Sequence, residues 1–138
     1  WRLDDDNQSA TRIVTTGKGK KKLKALDDSS DEFRFELANQ FGKGKADQIT
    51  GFSPDDGDQL ALATNAFRGL SEINLVTVSS NRQLKAQQKQ PSNFIYYEAE
   101  GKLYFDQNES DKGYGKEGGL FAILKGGPDL TESSFQIV

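Results

Sequence analysis

Asp31-Glu32-Phe33-Arg34-Phe35-Glu36, followed by Ala46-Asp47-Gln48-Ile49-Thr50-Gly51-Phe52-Ser53-Pro54 and Asp58-Gln59-Leu60-Ala61-Leu62, is the stretch that decides the fold class. Phe33, Phe35 and Leu37 fall on one side of an extended chain, and Glu32, Arg34 and Glu36 fall on the other. That period of two belongs to a half-buried sheet. Gln48-Ile49-Thr50 makes a second short strand. Pro54 and Gly57 stand at turn-favouring places between Phe52 and Asp58, and a third strand starts at Gln59. Short strands separated by acidic turns predict an all-β domain, built as a degenerate β-roll or a β-sandwich.

The pattern continues outward from there. Residues 73–78 (Ile-Asn-Leu-Val-Thr-Val) are rich in strand formers. Residues 79–92, a tract of Gln, Lys, Ser and Asn with one Leu, read as a loop. Asn93-Phe94-Ile95-Tyr96-Tyr97-Glu98-Ala99 and Lys102-Leu103-Tyr104-Phe105-Asp106 flank Glu100-Gly101 as a hairpin. A polar Gly-rich loop covers 107–119, a strand covers 120–124, and Gly126-Gly127-Pro128 breaks it. The chain closes on Phe135-Gln136-Ile137-Val138. Helix is expected only as a turn or two, at 66–72 and 130–134.

Composition narrows the chemistry. Only 34% of the 138 residues are hydrophobic and the mean hydropathy is −0.72, so the core is thin and nine Phe and four Tyr supply much of it. The absence of His removes Ser-His-Asp and Cys-His catalysis and the usual histidine metal sites. The absence of Cys removes disulfides and thiol chemistry. Catalysis would have to rest on carboxylates, Tyr, Lys or Ser, and no motif organises them, so a non-enzymatic role is expected. No apolar run approaches a membrane span.

Eighteen basic and 21 acidic residues give a net charge of −3, unevenly spread. Lys18, Lys20, Lys21, Lys22 and Lys24 form a knot between the acidic runs 4–6 and 27–28. With no Arg and no interleaved aromatics it reads as the guarded edge of a strand, and no nucleic-acid partner is expected. Leu3, Ile13, Leu23 and Phe33 recur at a spacing of ten, as if each turn of a winding chain sent one apolar residue into a narrow core.

Gly17-Lys18-Gly19-Lys20-Lys21-Lys22-Leu23 and Asp27-Asp28-Ser29-Ser30-Asp31-Glu32-Phe33 are similar to the Gly-x-Gly-x-Asp-x-apolar unit of bacterial RTX (hemolysin-type calcium-binding) proteins. The units are degenerate. Lys21 stands where the family has its ligand aspartate, which puts an ammonium at the place of a cation. The second unit keeps Asp31 and lacks the glycines. From residue 31 onward the order of pieces resembles the C-terminal domain that follows such repeats: Phe-x-Phe, Asp-x-Ile, a Phe-Ser turn, Asp-x-apolar, Phe67, the aromatic hairpin and a terminal Phe-x-Ile-Val. The resemblance implies two segments, repeat-like strands over 1–30 and a β-domain over 31–138. It also implies a secreted or cell-surface protein, calcium as cofactor, and the type I secretion machinery as partner. That machinery would read Phe135, Ile137 and Val138 as an export signal; a last strand closing the sheet would need the same residues.

Two acidic clusters are candidate calcium sites. Asp106, Asn108, Ser110 and Asp111 alternate along a Gly-containing loop, although a solvated polar turn would look the same. Asp47 and Asp58, with Asp55 and Asp56, bracket a strand turn. Tyr96, Tyr97 and Tyr104 on the hairpin are candidates for an assembly or ligand face. They would serve self-association with copies or other surface subunits through strand edges, or, alternatively, the platform of a carbohydrate-binding module. Cross-strand aromatic pairing would use them as well.

Overall fold

The computed structural model describes residues 11–16, 20–26, 30–36, 41, 45–67, 70–107, 114 and 118–138. The architecture is mainly β, as the alternation predicts: ten strands in two sheets with one short α-helix among these residues. The strands are β1 (Thr11–Thr15), β2 (Lys22–Lys24), β3 (Ser30–Phe35), β4 (Asp47–Thr50), β5 (Gln59–Leu62), β6 (Leu75–Val78), β7 (Phe94–Tyr97), β8 (Lys102–Phe105), β9 (Gly119–Lys125) and β10 (Phe135–Ile137).

The first five strands alternate between the sheets. β1, β3 and β5 pair in parallel within a four-stranded sheet of order β10-β5-β3-β1, and β2 and β4 pair in parallel within a six-stranded sheet of order β2-β4-β9-β8-β7-β6. Each passage across the gap adds a strand to the opposite sheet, so the chain winds. The remainder is different in kind: β7, β8 and β9 form an antiparallel meander, flanked by β6 parallel to β7 and β4 parallel to β9. Strands before and after residue 30 share both sheets.

Register explains the core. In the four-stranded sheet Val14, Phe33, Leu60 and Phe135 lie side by side. In the six-stranded sheet Leu23, Ile49 and Leu124 form one row and Leu75, Phe94 and Phe105 another. These rows face one another across a core in which Phe33, Phe35, Phe67, Phe94, Phe105 and Phe121 are almost fully buried. Phe67 sits at the centre, with the rings of Phe41, Phe94, Phe105 and Phe121 at 5.0–6.1 Å. Tilted and edge-on contacts of this kind add to the area burial.

Four expectations need correction. The repeat at a spacing of ten is not a core column: Ile13 is 54% exposed, and Val14 is the residue aligned with Phe33. Because β1 and β2 belong to different sheets, ten residues span half a winding, not a whole one. Residues 79–92 are not simply a loop. Ser80 accepts a hydrogen bond from the Gln83 N–H and starts helix α1 (Asn81–Gln87), whose Leu84 packs on Val78, Ile95 and Tyr97 over the outer face of the six-stranded sheet. Of the stretch 66–72, Ala66 and Phe67 form a turn donating to Ala63 O, while residues 68–69 lie outside the described set. The 93–106 hairpin offers no free edge, since β6 pairs with one flank and β9 with the other.

Two glycines close turns in the left-handed region that side chains rarely adopt. Gly101 has φ +68°, and a Cβ there would lie 2.0 Å from Leu124 O. This tight approach lets the Leu124 N–H donate to Gly101 O at 2.7 Å. Gly57, at φ +87°, ends the 3-10 turn Pro54–Asp56 and sits against Ser30 Oγ, where a Cβ would come within 2.7 Å.

Candidate functional site

The corner where the winding chain passes between sheets is built from buried carboxylates. Asp58, 2% exposed at the entry to β5, accepts the Asp31 N–H at 2.8 Å and the Ser53 N–H at 2.9 Å. Asp31, fully buried on β3, accepts the Leu26 N–H at 2.6 Å. Each aspartate thus bonds the chain five residues before it, where the backbone leaves the strand ladder and its donors need partners. The two corners stack: Ser30 Oγ donates to Asp56 O at 2.9 Å, and the Ala25 N–H donates to Thr50 O at 2.8 Å.

A cation completes the column, and it belongs to the protein. Arg12, the register partner of Asp31, forks onto it with Nε and Nη2 each 3.1 Å from a carboxylate oxygen. Its Nη2 also donates to Lys24 O at 2.8 Å, so one side chain joins β1, β2 and β3. A guanidinium suits this place because its fork matches a carboxylate and it cannot be deprotonated. The sequence pointed to Lys21 as the internal cation. In the structure Lys21 is exposed, and its backbone N–H is what reaches an aspartate, Asp47 Oδ1, at 2.8 Å.

Asp47 is the least satisfied of the three. It is 1% exposed at the start of β4, and its Oδ2 has no hydrogen-bond partner among the described residues. Burial pushes its carboxyl up to about 6, against the lowering effect of the Lys21 N–H and charge and of Thr16. Asp58 is also raised, by burial first, with the Asp31 and Ser53 N–H groups opposing. No three acidic side chains converge as a metal-ligand set among the described residues. Asp58 uses both oxygens on N–H groups, and Asp47 uses Oδ1 on the Lys21 N–H. Of the second candidate loop, Asp106 is buried beside β8 with its N–H on Asn93 O at 2.8 Å. Asn108, Ser110 and Asp111 lie outside the described residues.

The tyrosines separate. Tyr96 is fully buried and its hydroxyl donates to Pro128 O at 2.6 Å; Tyr97 is 8% exposed on the opposite face, under α1. Alternation along β7 sends the two to different faces, so they do not form one platform. Tyr104 is half-buried and stacks on Tyr114 with centroids 5.1 Å apart and planes 9° apart. The Tyr114 hydroxyl accepts from Gln88 Nε2 at 2.9 Å. Phe135 is buried in the core, whereas Ile137 and Val138 are exposed at the end of β10.

Two features escaped the sequence reading. A hydrogen bond with Asp129 pushes Glu98 up, beside a hollow lined by Phe52, Ser53, Pro54, Asp55, Pro128 and Asp129. Along β6 runs a groove of about 560 Å³, lined by Asn74, Leu75, Val76, Gln87, Gln90 and Glu132 among others, with Glu132 Oε2 accepting the Leu75 N–H at 3.2 Å. Neither has a local signal, because each joins residues brought together by strand order. No family model, no curated protein and no solved structure matches this chain.

Proposed function

We propose that this chain is a non-catalytic structural module of a secreted or cell-surface protein, a degenerate β-roll continued into a sandwich, resembling the C-terminal domain of RTX proteins. The observation that supports this best is the winding of β1–β5 between two sheets with the buried Asp31 and Asp58 at the β2–β3 and β4–β5 corners. In this reading Arg12 and the backbone N–H groups do at these corners what calcium does in intact repeats, so the wound part folds without metal. The module's work is to fold outside the cell, to carry Phe135, Ile137 and Val138 for the type I exporter, and to pack against other surface subunits.

Fusion to a passenger in cells carrying a type I exporter tests the export role. The passenger is expected in the medium, and substitution of Phe135, Ile137 and Val138 by polar residues is expected to retain it. Retention of the unaltered fusion inside the cell would overturn the reading.

A further inference from the structure

Leu23 of β2, Ile49 of β4 and Leu124 of β9 form one inward row of the six-stranded sheet, so the residues on either side of them point to its outer face. Those residues are Lys22 and Lys24, Gln48 and Thr50, and Ile123 and Lys125, and none is acidic. Register sets them in two rows. Lys24, Thr50 and Lys125 lie side by side, and so do Lys22, Gln48 and Ile123. Lys102 of β8 extends the second row as the partner of Ile123. Lys22, Lys24, Thr50 and Lys125 are exposed. Strand spacing puts Lys24 and Lys125 about 10 Å apart across β4, with Lys22 about 7 Å from Lys24 along β2.

The cationic character continues across the face. Helix α1, packed over the outward residues of β6 and β7, carries Arg82 and Lys85 and is followed by Lys89, all exposed. No Asp or Glu occurs from residue 73 to residue 97. Glu100 pairs with Lys102 Nζ at 2.8 Å, and this neutralises one lysine only. Among the described residues no ion pair holds Lys22, Lys24 or Lys125. A chain of net charge −3 thus gathers cations on one side, where they sum to a local positive field.

Charge complementarity calls for a polyanion, and the groups between the lysines say which kind. The bases of a single strand stack on open aromatic rings, but Tyr104, the ring turned outward on β8, is already stacked on Tyr114 at 5.1 Å. A bilayer takes apolar side chains into its interface, but Ile123, the apolar residue of the two rows, is half-buried. Gln48 and Thr50 instead bring an amide and a hydroxyl, which both donate and accept, as sugar hydroxyls do. A lysine ammonium is a point charge on a flexible stem and suits acidic groups spaced along a chain. We infer that the outer face of β2, β4 and β9 binds an acidic polysaccharide, with Lys22, Lys24 and Lys125 on its carboxylate or sulfate groups and Gln48 and Thr50 on its hydroxyls. The inference does not use the export reading and is measured on the purified protein, so either can fail alone.

Titration calorimetry with polygalacturonate and with dextran sulfate, across a salt series, tests it. Both polymers are expected to bind at low salt and to be released as salt rises, and uncharged dextran is expected not to bind. Lys24→Gln with Lys125→Gln removes two charges from the face and is expected to weaken binding by about tenfold or more. Ile13→Glu with Thr15→Glu changes the net charge equally on β1 of the other sheet, where both residues are exposed. That variant is expected to bind within about twofold of wild type, and both variants are expected to keep the wild-type circular dichroism spectrum. Failure of both polymers to bind wild type would overturn the inference. So would a lysine variant that binds like wild type, or a β1 variant that loses as much as the lysine variant. Tighter binding of single-stranded DNA or of phosphatidylserine vesicles than of either polymer would assign the face to nucleic acid or to a membrane and overturn it as well.

Discussion

The wound part, β1 to β5 with β10, and the meander β7 to β9 solve the same problem with different chemistry. In the meander, successive strands pair directly and a short turn at Gly101 satisfies the backbone. In the wound part each strand leaves its sheet, and at the β2–β3 and β4–β5 crossings the backbone needs partners outside the ladder. Asp31 and Asp58 replace that ladder: each buries a carboxylate to hold N–H groups from two places in the chain or, at Asp31, one N–H and a guanidinium. The described crossings of the winding are therefore tied to buried carboxylates that hold N–H groups, whereas the antiparallel turn at Gly101 closes with backbone groups alone.

The largest expected effect comes from cutting the joint between the regions. Phe67→Ala removes the ring that touches Phe41, Phe94, Phe105 and Phe121. It is expected to cost about 3–5 kcal/mol in denaturant unfolding, and both regions should lose structure in a single transition. Two separate transitions would show that the regions fold independently.

Next comes the carboxylate column. Asp31→Ala removes the acceptor of the Leu26 N–H and the carboxylate that the Arg12 guanidinium forks onto. The loss is expected at roughly 2–4 kcal/mol, within the range for removing one partner of a hydrogen-bonded charge pair, since Arg12 is partly exposed. Arg12→Ala should cost less than Asp31→Ala; the reverse order would mean that the guanidinium, not the N–H bond, holds the corner.

Asp47 is expected to act in the opposite sense. Its folded carboxyl titrates near 6 against an ordinary 3.8, so protonation favours the folded state. The stability it contributes is complete below about 3.8 and is lost as pH rises through about 6. At about 1.4 kcal/mol for each tenfold change, the cost at neutral pH is at most ~3 kcal/mol. Asp47→Asn should therefore stabilise the protein by roughly 1–2 kcal/mol at pH 7, and the gain over wild type should vanish near pH 4. A variant less stable than wild type at both values would show that the ionised carboxylate is needed.

The sequence was clearest where one strand reports on itself. Phe33 and Phe35 against Glu32 and Arg34 gave the alternation and the buried face directly, and the hairpin was legible from its aromatic runs and Gly101. Strand order was not legible, since the parallel partners are far apart in the chain and no local residue names them. The same reason hid Arg12, whose role appears only when β1 aligns with β3, and the groove along β6, where Glu132 meets Leu75 from the far end of the chain. The helix at 81–87 carries a faint signal, Ser80 as cap and Leu84 as the one apolar anchor, which the Gln and Lys around them outweigh.

The most direct test of the claim that protein groups, not a metal, close the winding is thermal melting of the wild type in calcium and in chelator, repeated on Asp31→Asn and Asp58→Asn. The wild type is predicted to melt at the same temperature in both solutions. A calcium-dependent rise of several degrees that disappears in both variants would contradict it.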